Sequence, residues 1–320
     1  MALFIIRRFL QSLIVLFVMS VVIFLGIYSI GDPVEILVSP QADQIERARI
    51  IANLGLDQPL WFQYLSFLRG AAAFDLGTSF VFNVPAIKLI FDRLPATLEL
   101  AFASMTLAIV IGLPIGFYCG VRPSSPLSKT LMSGSILGFS LPGFWVGLML
   151  VLVFSVNLGW LPSYGRGDVA TVFGITSSLF TLDGLSHIIL PALNLSLFNM
   201  ALIMRLTRAG VVENMLADYV KFARAKGLGS RRVLGVHVFK SILPTIVTVV
   251  AMQMGELLAF TVVTETIFSW PGIGKLLIDS IYMLDRPVVV AYLLCVLTMF
   301  VILNMLVDLI YPLLDPRIKI

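Results

Sequence analysis

Apolar residues in this chain gather into six long runs, at about residues 9–30, 95–119, 131–156, 188–206, 242–268 and 288–312. Polar stretches bearing proline and glycine separate them. A hydrocarbon core of about 30 Å takes about 20 apolar residues in helical form, and each run comes close to that. The pattern predicts an all-α membrane protein with six transmembrane helices. Arg7-Arg8 and the run after it have the outline of a signal peptide. The run is too long for an h-region and no small-x-small site ends it, so a retained first span (residues 1–30) with its N-terminus in the cytoplasm is expected. Residues 31–93 hold no apolar run of spanning length and read as a large external loop, with short helices such as one over 43–53. Trp61, Phe62, Tyr64, Phe67 and Phe74 give that loop an aromatic face suited to a membrane interface. Residues 94–312 then carry five helices and a cytoplasmic loop at about 211–241, and 313–320 form a cytoplasmic tail.

Inside that loop lies a basic island, Asp218-Tyr-Val-Lys-Phe-Ala-Arg-Ala-Lys-Gly227-Leu228. Asp218 is placed to cap a short helix and Gly227 to stop it. So short a helix does not hold by itself in water and has to rest on something. Tyr219, Phe222 and Ala223 form an apolar stripe at i, i+3, i+4. Ala223 and Gly227 share a face open to close approach, and Lys221, Arg224 and Lys226 surround the stripe with positive charge. On residues alone, a solvated basic loop obeying the positive-inside rule fits equally.

Composition bears out the membrane reading. The chain of 320 residues is 59% hydrophobic and 12% charged, with a mean hydropathy of +1.00. A soluble domain carries about twice that charge. The net charge of +4 does not suggest nucleic acid, because the basic residues flank spans and no base-stacking motif joins them. Most of the 22 lysines and arginines fall in the loops assigned to the cytoplasm, and the short external loops hold only Arg166, Lys275 and Arg286. An N-in, C-in arrangement follows. Cys119 and Cys295 sit in separate spans, too far apart in depth for a disulfide.

Small residues mark the spans. Gly112, Gly116 and Gly120 recur every four residues, and Gly134/Gly138 and Gly143/Gly147 repeat the spacing. Such faces let helix backbones touch in lipid. Pro114, Pro142 and Pro191 each free a carbonyl and kink a span. Glu99, Glu256, Glu265 and Asp308 lie in or near spans, where a charge is costly and faces a cavity or a partner. Glu99, Glu265 and Asp308 suit hydrogen bonding near span ends. Glu256 sits deepest and, with Gln253 and Asn199, is the candidate lining of a translocation path. Interhelical hydrogen bonds explain Asn194, Asn199, Gln253 and Asn304 equally well. His187 and His237 fall on opposite sides of the membrane, no metal or nucleophile motif occurs, and Gly272-Ile-Gly274-Lys275 lacks the full phosphate-loop pattern. An enzyme is not indicated, and any energy source must be a partner.

The central island, followed by Ile242-Leu-Pro244, resembles the coupling loop of binding-protein-dependent ABC importer permeases of the dipeptide/oligopeptide branch. The likeness covers nearly the whole chain. It includes Leu54-Gly-Leu-Asp57, Asp75-Leu-Gly77, Arg93-Leu-Pro-Ala-Thr-Leu-Glu99, Pro142-Gly-Phe-Trp145, Leu158-Gly-Trp-Leu-Pro162, Glu265-Thr-Ile-Phe-Ser-Trp-Pro-Gly272 and Asp315-Pro-Arg-Ile318. Lys221-Phe222-Ala223 stands where the general importer pattern has Glu-Ala-Ala. The resemblance implies a type 1 importer permease fold in the bacterial inner membrane, in contact with membrane lipid. It implies a coupling helix made of Asp218, Tyr219, Lys221, Phe222, Ala223, Arg224, Ala225, Gly227 and Leu228. It implies four partners: a second homologous permease, two cytoplasmic ATPases that hold the ATP and Mg, and a periplasmic binding protein. No cofactor is expected in this chain. Peptides are the implied solute, with nickel complexes, glutathione, opines, peptide antibiotics and sugars carried by similar importers. The competing class is an ion-coupled carrier acting alone, motivated by Glu256. A membrane-embedded enzyme is a third reading that lacks a nucleophile–base pair.

Overall fold

A computed structural model describes residues 2–27 and 57–314, together with Gln44, Ile45 and Ala52. The expected helix over 43–53 and the motif at 315–318 fall largely outside the described residues. In chain order the elements are α1 (Ala2–Ile27), α2 (Leu60–Ala72), α3 (Ala86–Val121), α4 (Pro126–Ser140) and α5 (Gly143–Leu150). A π-helical stretch, Val151–Asn157, extends α5. A hairpin of β1 (Ala170–Val172) and β2 (Ile175–Ser177) follows, and a 3-10 turn at Ser178–Phe180. The remainder is α6 (Leu182–Met215), α7 (Asp218–Ala225), α8 (Ser230–Ile267), α9 (Ile273–Tyr282) and α10 (Arg286–Leu314).

Among the described residues, five helices are long and apolar enough to cross a membrane: α1, α3, α6, α8 and α10. The sixth expected span, 131–156, is not one straight helix. It is broken into Pro126–Gly138 and Gly143–Asn157, bent by 106°, and counts as a span only if the pair is taken together. Pro142 is the cause. It holds Leu141 extended (φ −82°, ψ 136°) and itself caps the second piece at ψ 128°, so the ladder stops instead of kinking. The other helices outrun their expected bounds. α3 begins at Ala86 and runs for 36 residues, and α6 for 34, so both continue past their apolar runs. Pro191 and Pro244 are carried inside α6 and α8.

The chain divides into two compact units. The first comprises Met1–Thr97 and Pro271–Met305. There, α1 leaves Phe9, Leu13, Ile14 and Phe17 exposed, as a lipid-facing helix does. α2 rests on it through Tyr64, whose hydroxyl is 2.8 Å from Ser20 Oγ and whose ring meets Phe24 edge-on at 5.3 Å. The buried carboxylate of Asp285 gathers the loop before α3. It accepts from the backbone N–H of Phe80 (3.1 Å) and of Val81, and from the hydroxyl of Ser79.

The second unit is Leu98–Trp270 with Leu306–Ile320. Its core is α3 laid against α6. A methyl group added at Gly112 would lie 2.8 Å from Met200 O, at Gly116 2.5 Å from Met204 O, and at Gly120 2.5 Å from Val211 Cβ. The stripe read in the sequence is therefore a backbone-to-backbone contact. The second stripe differs. Nothing lies within 4 Å of such a methyl at Gly134, Gly138 or Gly143 among the described residues, and only Gly147 meets a neighbour, the side chain of Asn194.

Within α3, at Glu99, sits a polar knot. Glu99, buried, accepts from Arg166 Nη2, from Ser178 N (3.1 Å) and from Ser178 Oγ. It ties the segment carrying the hairpin to α3. Thr181 caps α6 there, its Oγ1 accepting from Gly184 N at 2.9 Å. Glu99→Ala leaves the Arg166 guanidinium half-enclosed without its counter-charge. The expected cost is on the order of 3 kcal/mol, seen as earlier thermal unfolding of the purified protein in detergent. The small β-hairpin is an addition to the expected all-α fold. Its turn is Phe173-Gly174, both at positive φ (51° and 80°), a type I′ geometry for which Phe gives no sequence signal.

Candidate functional site

Two groups of predicted residues come together in the second unit. The first surrounds α7. The helix is eight residues long and begins at Asp218, with Ala217 (ψ 146°) in the capping position. Asp218 is thus the first helical residue rather than the cap. It pairs with Lys221 at 2.9 Å, and that hydrogen bond and charge hold its carboxyl below the usual carboxylate range. The contribution is present at neutral pH and lost as pH falls through that lowered value. The predicted stop is in place. Gly227 lies at φ +76°, Leu228 N donates to Ala223 O (3.2 Å) and Gly227 N to Arg224 O (2.9 Å). This is a Schellman ending, and only glycine adopts its backbone without strain.

The orientation of the helix corrects one expectation. Ala223 was expected on a face open to a partner. Instead Ala223 and Val220 are buried in this chain's own core, with Val211, Val233, Val238, Ile242 and Ile246. Gly227 has nothing within 4 Å of an added methyl. The face left open carries Tyr219 and Phe222, the latter 61% exposed, and Leu216 just before them. Lys226 Nζ stands 4.5 Å above the Phe222 ring. The stripe therefore splits: its small residue anchors the helix, and its aromatic residues look outward within a rim of Lys221, Arg224 and Lys226.

Asn214 went unnoticed in the sequence, where it is one amide among several. At the end of α6 its Oδ1 accepts from Tyr219 OH and from Ser241 Oγ (2.8 Å), while its Nδ2 donates to Gly210 O (2.8 Å). One side chain thereby ties α7 to α6 and to the base of α8. Phe117 of α3 meets Phe239 edge-on at 5.8 Å beside it, where α8 is π-helical over Val233–Val238. These bonds fasten the short helix to α6 and α8. From Glu99 to Phe117 α3 rises about 27 Å, so α7 and the Glu99 knot lie roughly a bilayer core apart.

The second group meets in a cavity of about 390 Å³ bounded by α5, α6 and α8. Asn199, Gln253 and Glu256, the candidate path residues, all line it. Gln253 Nε2 donates to Asn199 Oδ1 at 3.1 Å, and Asn194 Nδ2 to Thr264 Oγ1 at 3.0 Å. Glu256 is exposed, and no described residue pairs with its carboxylate. A charge at mid-span does not face lipid without heavy cost, so this side of α8 belongs to an aqueous path or to another subunit. The remaining buried groups are elsewhere. Glu265 is buried near the end of α8, and Asn304 donates to the Phe300 carbonyl on its own helix. Cys119 and Cys295 are both free thiols. Among the described residues no cluster of His, Cys, Asp and Glu suits a metal ion.

The chain is similar to known proteins over most of its length. Residues 112–320 match the family described as binding-protein-dependent transport system inner membrane component, and residues 1–101 match its N-terminal counterpart. The chain is 41% identical over 302 residues to the di/tripeptide transport system permease protein DppB of Pseudomonas aeruginosa, covering 90% of both chains. It is 36% identical over 321 residues to the oligopeptide transport system permease protein AppB of Bacillus subtilis, covering 100% of both. A solved structure of the MetNI methionine ABC transporter, in inward-facing form, shares the fold. The TM-score is 0.55 at 17% identity, covering 71% of this chain and 96% of that one.

Proposed function

This chain belongs to the family of binding-protein-dependent transport system inner membrane components, and from that premise we propose how it works. It is a multi-pass permease subunit of an ABC importer in the inner membrane. Its solute is a di- or oligopeptide, as the names of its relatives state of those proteins. It pairs with a second permease, receives solute from a periplasmic binding protein, and is driven by two cytoplasmic ATPases that bind the nucleotide.

The observation that carries this reading is the build of α7. Val220 and Ala223 lock the helix to its own spans, and Tyr219 and Phe222 stay uncovered inside a basic rim. Aromatic side chains left exposed on an anchored element are the residues that dominate interfaces. The ATPase holds that outward face, and Asn214 and the core beneath α7 pass its movement to α6 and α8. The path opens along the cavity that holds Glu256.

Reconstitution tests it. The chain, assembled with its partner permease, ATPases and binding protein in liposomes, should take up L-Ala-L-Ala only when ATP and the binding protein are supplied. Uptake by this chain alone, driven by an ion gradient, would establish the carrier reading that Glu256 also allows.

A further inference from the structure

The cavity between α5, α6 and α8 has a one-sided chemistry. Its lining contains one ionisable side chain, Glu256, and no lysine, arginine or histidine. Two of the three side-chain amides on its wall donate to other protein groups, Gln253 to Asn199 and Asn194 to Thr264. Glu256 itself is exposed, and no described residue pairs with its carboxylate. Phe144, Phe198 and Phe260 supply the apolar remainder of the wall. The volume lies within the usual range of small-molecule sites, about 300–1,000 Å³.

We propose that this cavity is a binding site for the ammonium end of the transported solute, with Glu256 as its counter-charge. The proposal rests on the peptide-importer reading and names which end of the peptide this chain holds. The cavity offers no cation for the peptide's carboxylate. That end lies outside it. The site also disfavours solutes whose amine is blocked, because such a group carries no charge to offset desolvation of Glu256.

The test reads the site's charge preference without transport. Cys119 and Cys295 are replaced by alanine, and a reporter thiol is introduced as Phe260→Cys, one helical turn from Glu256, or as Val263→Cys in a second preparation. The assembled importer is labelled with a trimethylammonium-bearing or a sulfonate-bearing methanethiosulfonate. The cationic reagent should react at least about tenfold faster, and Glu256→Gln should bring the two rates together. L-Ala-L-Ala should slow labelling, and N-acetyl-L-Ala-L-Ala should not. An unchanged rate ratio in Glu256→Gln, equal protection by both peptides, or no labelling at either position overturns the proposal. ATP-driven uptake of L-Ala-L-Ala is followed separately. Selective protection without uptake removes peptide import and leaves the site standing. Uptake without selective protection does the reverse.

Discussion

Gly116→Leu is expected to prevent this chain from reaching a stable folded state. Even the first added carbon would sit 2.5 Å from Met204 O, 2.8 Å from Thr207 Cβ and 2.9 Å from Met204 Cα. Two of these atoms are backbone, and Thr207 is fully buried. No side chain can swing away, so α3 and α6 must separate along the contact that Gly112 and Gly120 also form. Overpacking a rigid core costs about 1–3 kcal/mol, and a clash with backbone belongs at or above the top of that range. Lipid offers no hydrophobic compensation for parted helices. Membrane levels of the variant should collapse, and any protein recovered in detergent should unfold well below the parent. Gly134→Leu is the control. It has the same sequence signature and no atom within 4 Å, so in the isolated chain its effect should stay within about 0.5 kcal/mol.

Phe222→Asp is expected to spare the fold and abolish transport. The ring is mostly solvent-exposed and touches Lys226 of its own helix, so little of this chain's packing is lost. At an interface the same change removes an aromatic anchor and buries a carboxylate. Anchors of this kind are worth about 2 kcal/mol or more, roughly thirtyfold in affinity. ATP-dependent uptake should fall at least that far, with the unfolding temperature of the isolated chain unchanged. Ala223→Leu inverts the pattern. It crowds the core under α7, so loss of the folded chain accompanies loss of uptake. A bulky residue at Gly227 acts differently again: its first carbon meets no atom of this chain within 4 Å, and it brings backbone strain at φ +76°.

These contrasts mark how far the sequence can be read. Five spans and the extent of α7 follow from periodicity and from glycine and proline punctuation, because local chemistry decides them. Gly227 is the clearest instance: only glycine takes its backbone easily, and the helix ends there. The facing of Ala223 was not legible, since an eight-residue amphipathic helix has two plausible buried faces and tertiary packing chooses between them. The same holds for the glycine stripes at 112–120 and 134–147, which look alike in sequence although only the first lies along a neighbouring backbone. Pro142 could be foreseen as a kink, but a 106° break depends on what supports the freed ends. Asn214 was invisible for a further reason. Its importance comes from Tyr219 and Ser241 converging on one oxygen, which no spacing within a single helix reveals. Asn199, Gln253 and Glu256 stand out in the sequence because polar side chains at mid-span are few, and the structure brings all three to one cavity.

The most direct test is a cross-link. With Cys119 and Cys295 removed, a thiol is placed on α7 as Phe222→Cys, and a short thiol–amine cross-linker is applied to the assembled importer. The account predicts a product joining this chain to the ATPase subunit. Its yield should change between nucleotide-free and ATP-bound preparations. A thiol introduced as Phe173→Cys, at the tip of the hairpin, should give no such product. If Phe222→Cys gives none either, or if the ATPase product forms from the hairpin tip, α7 is not where the motor grips this subunit.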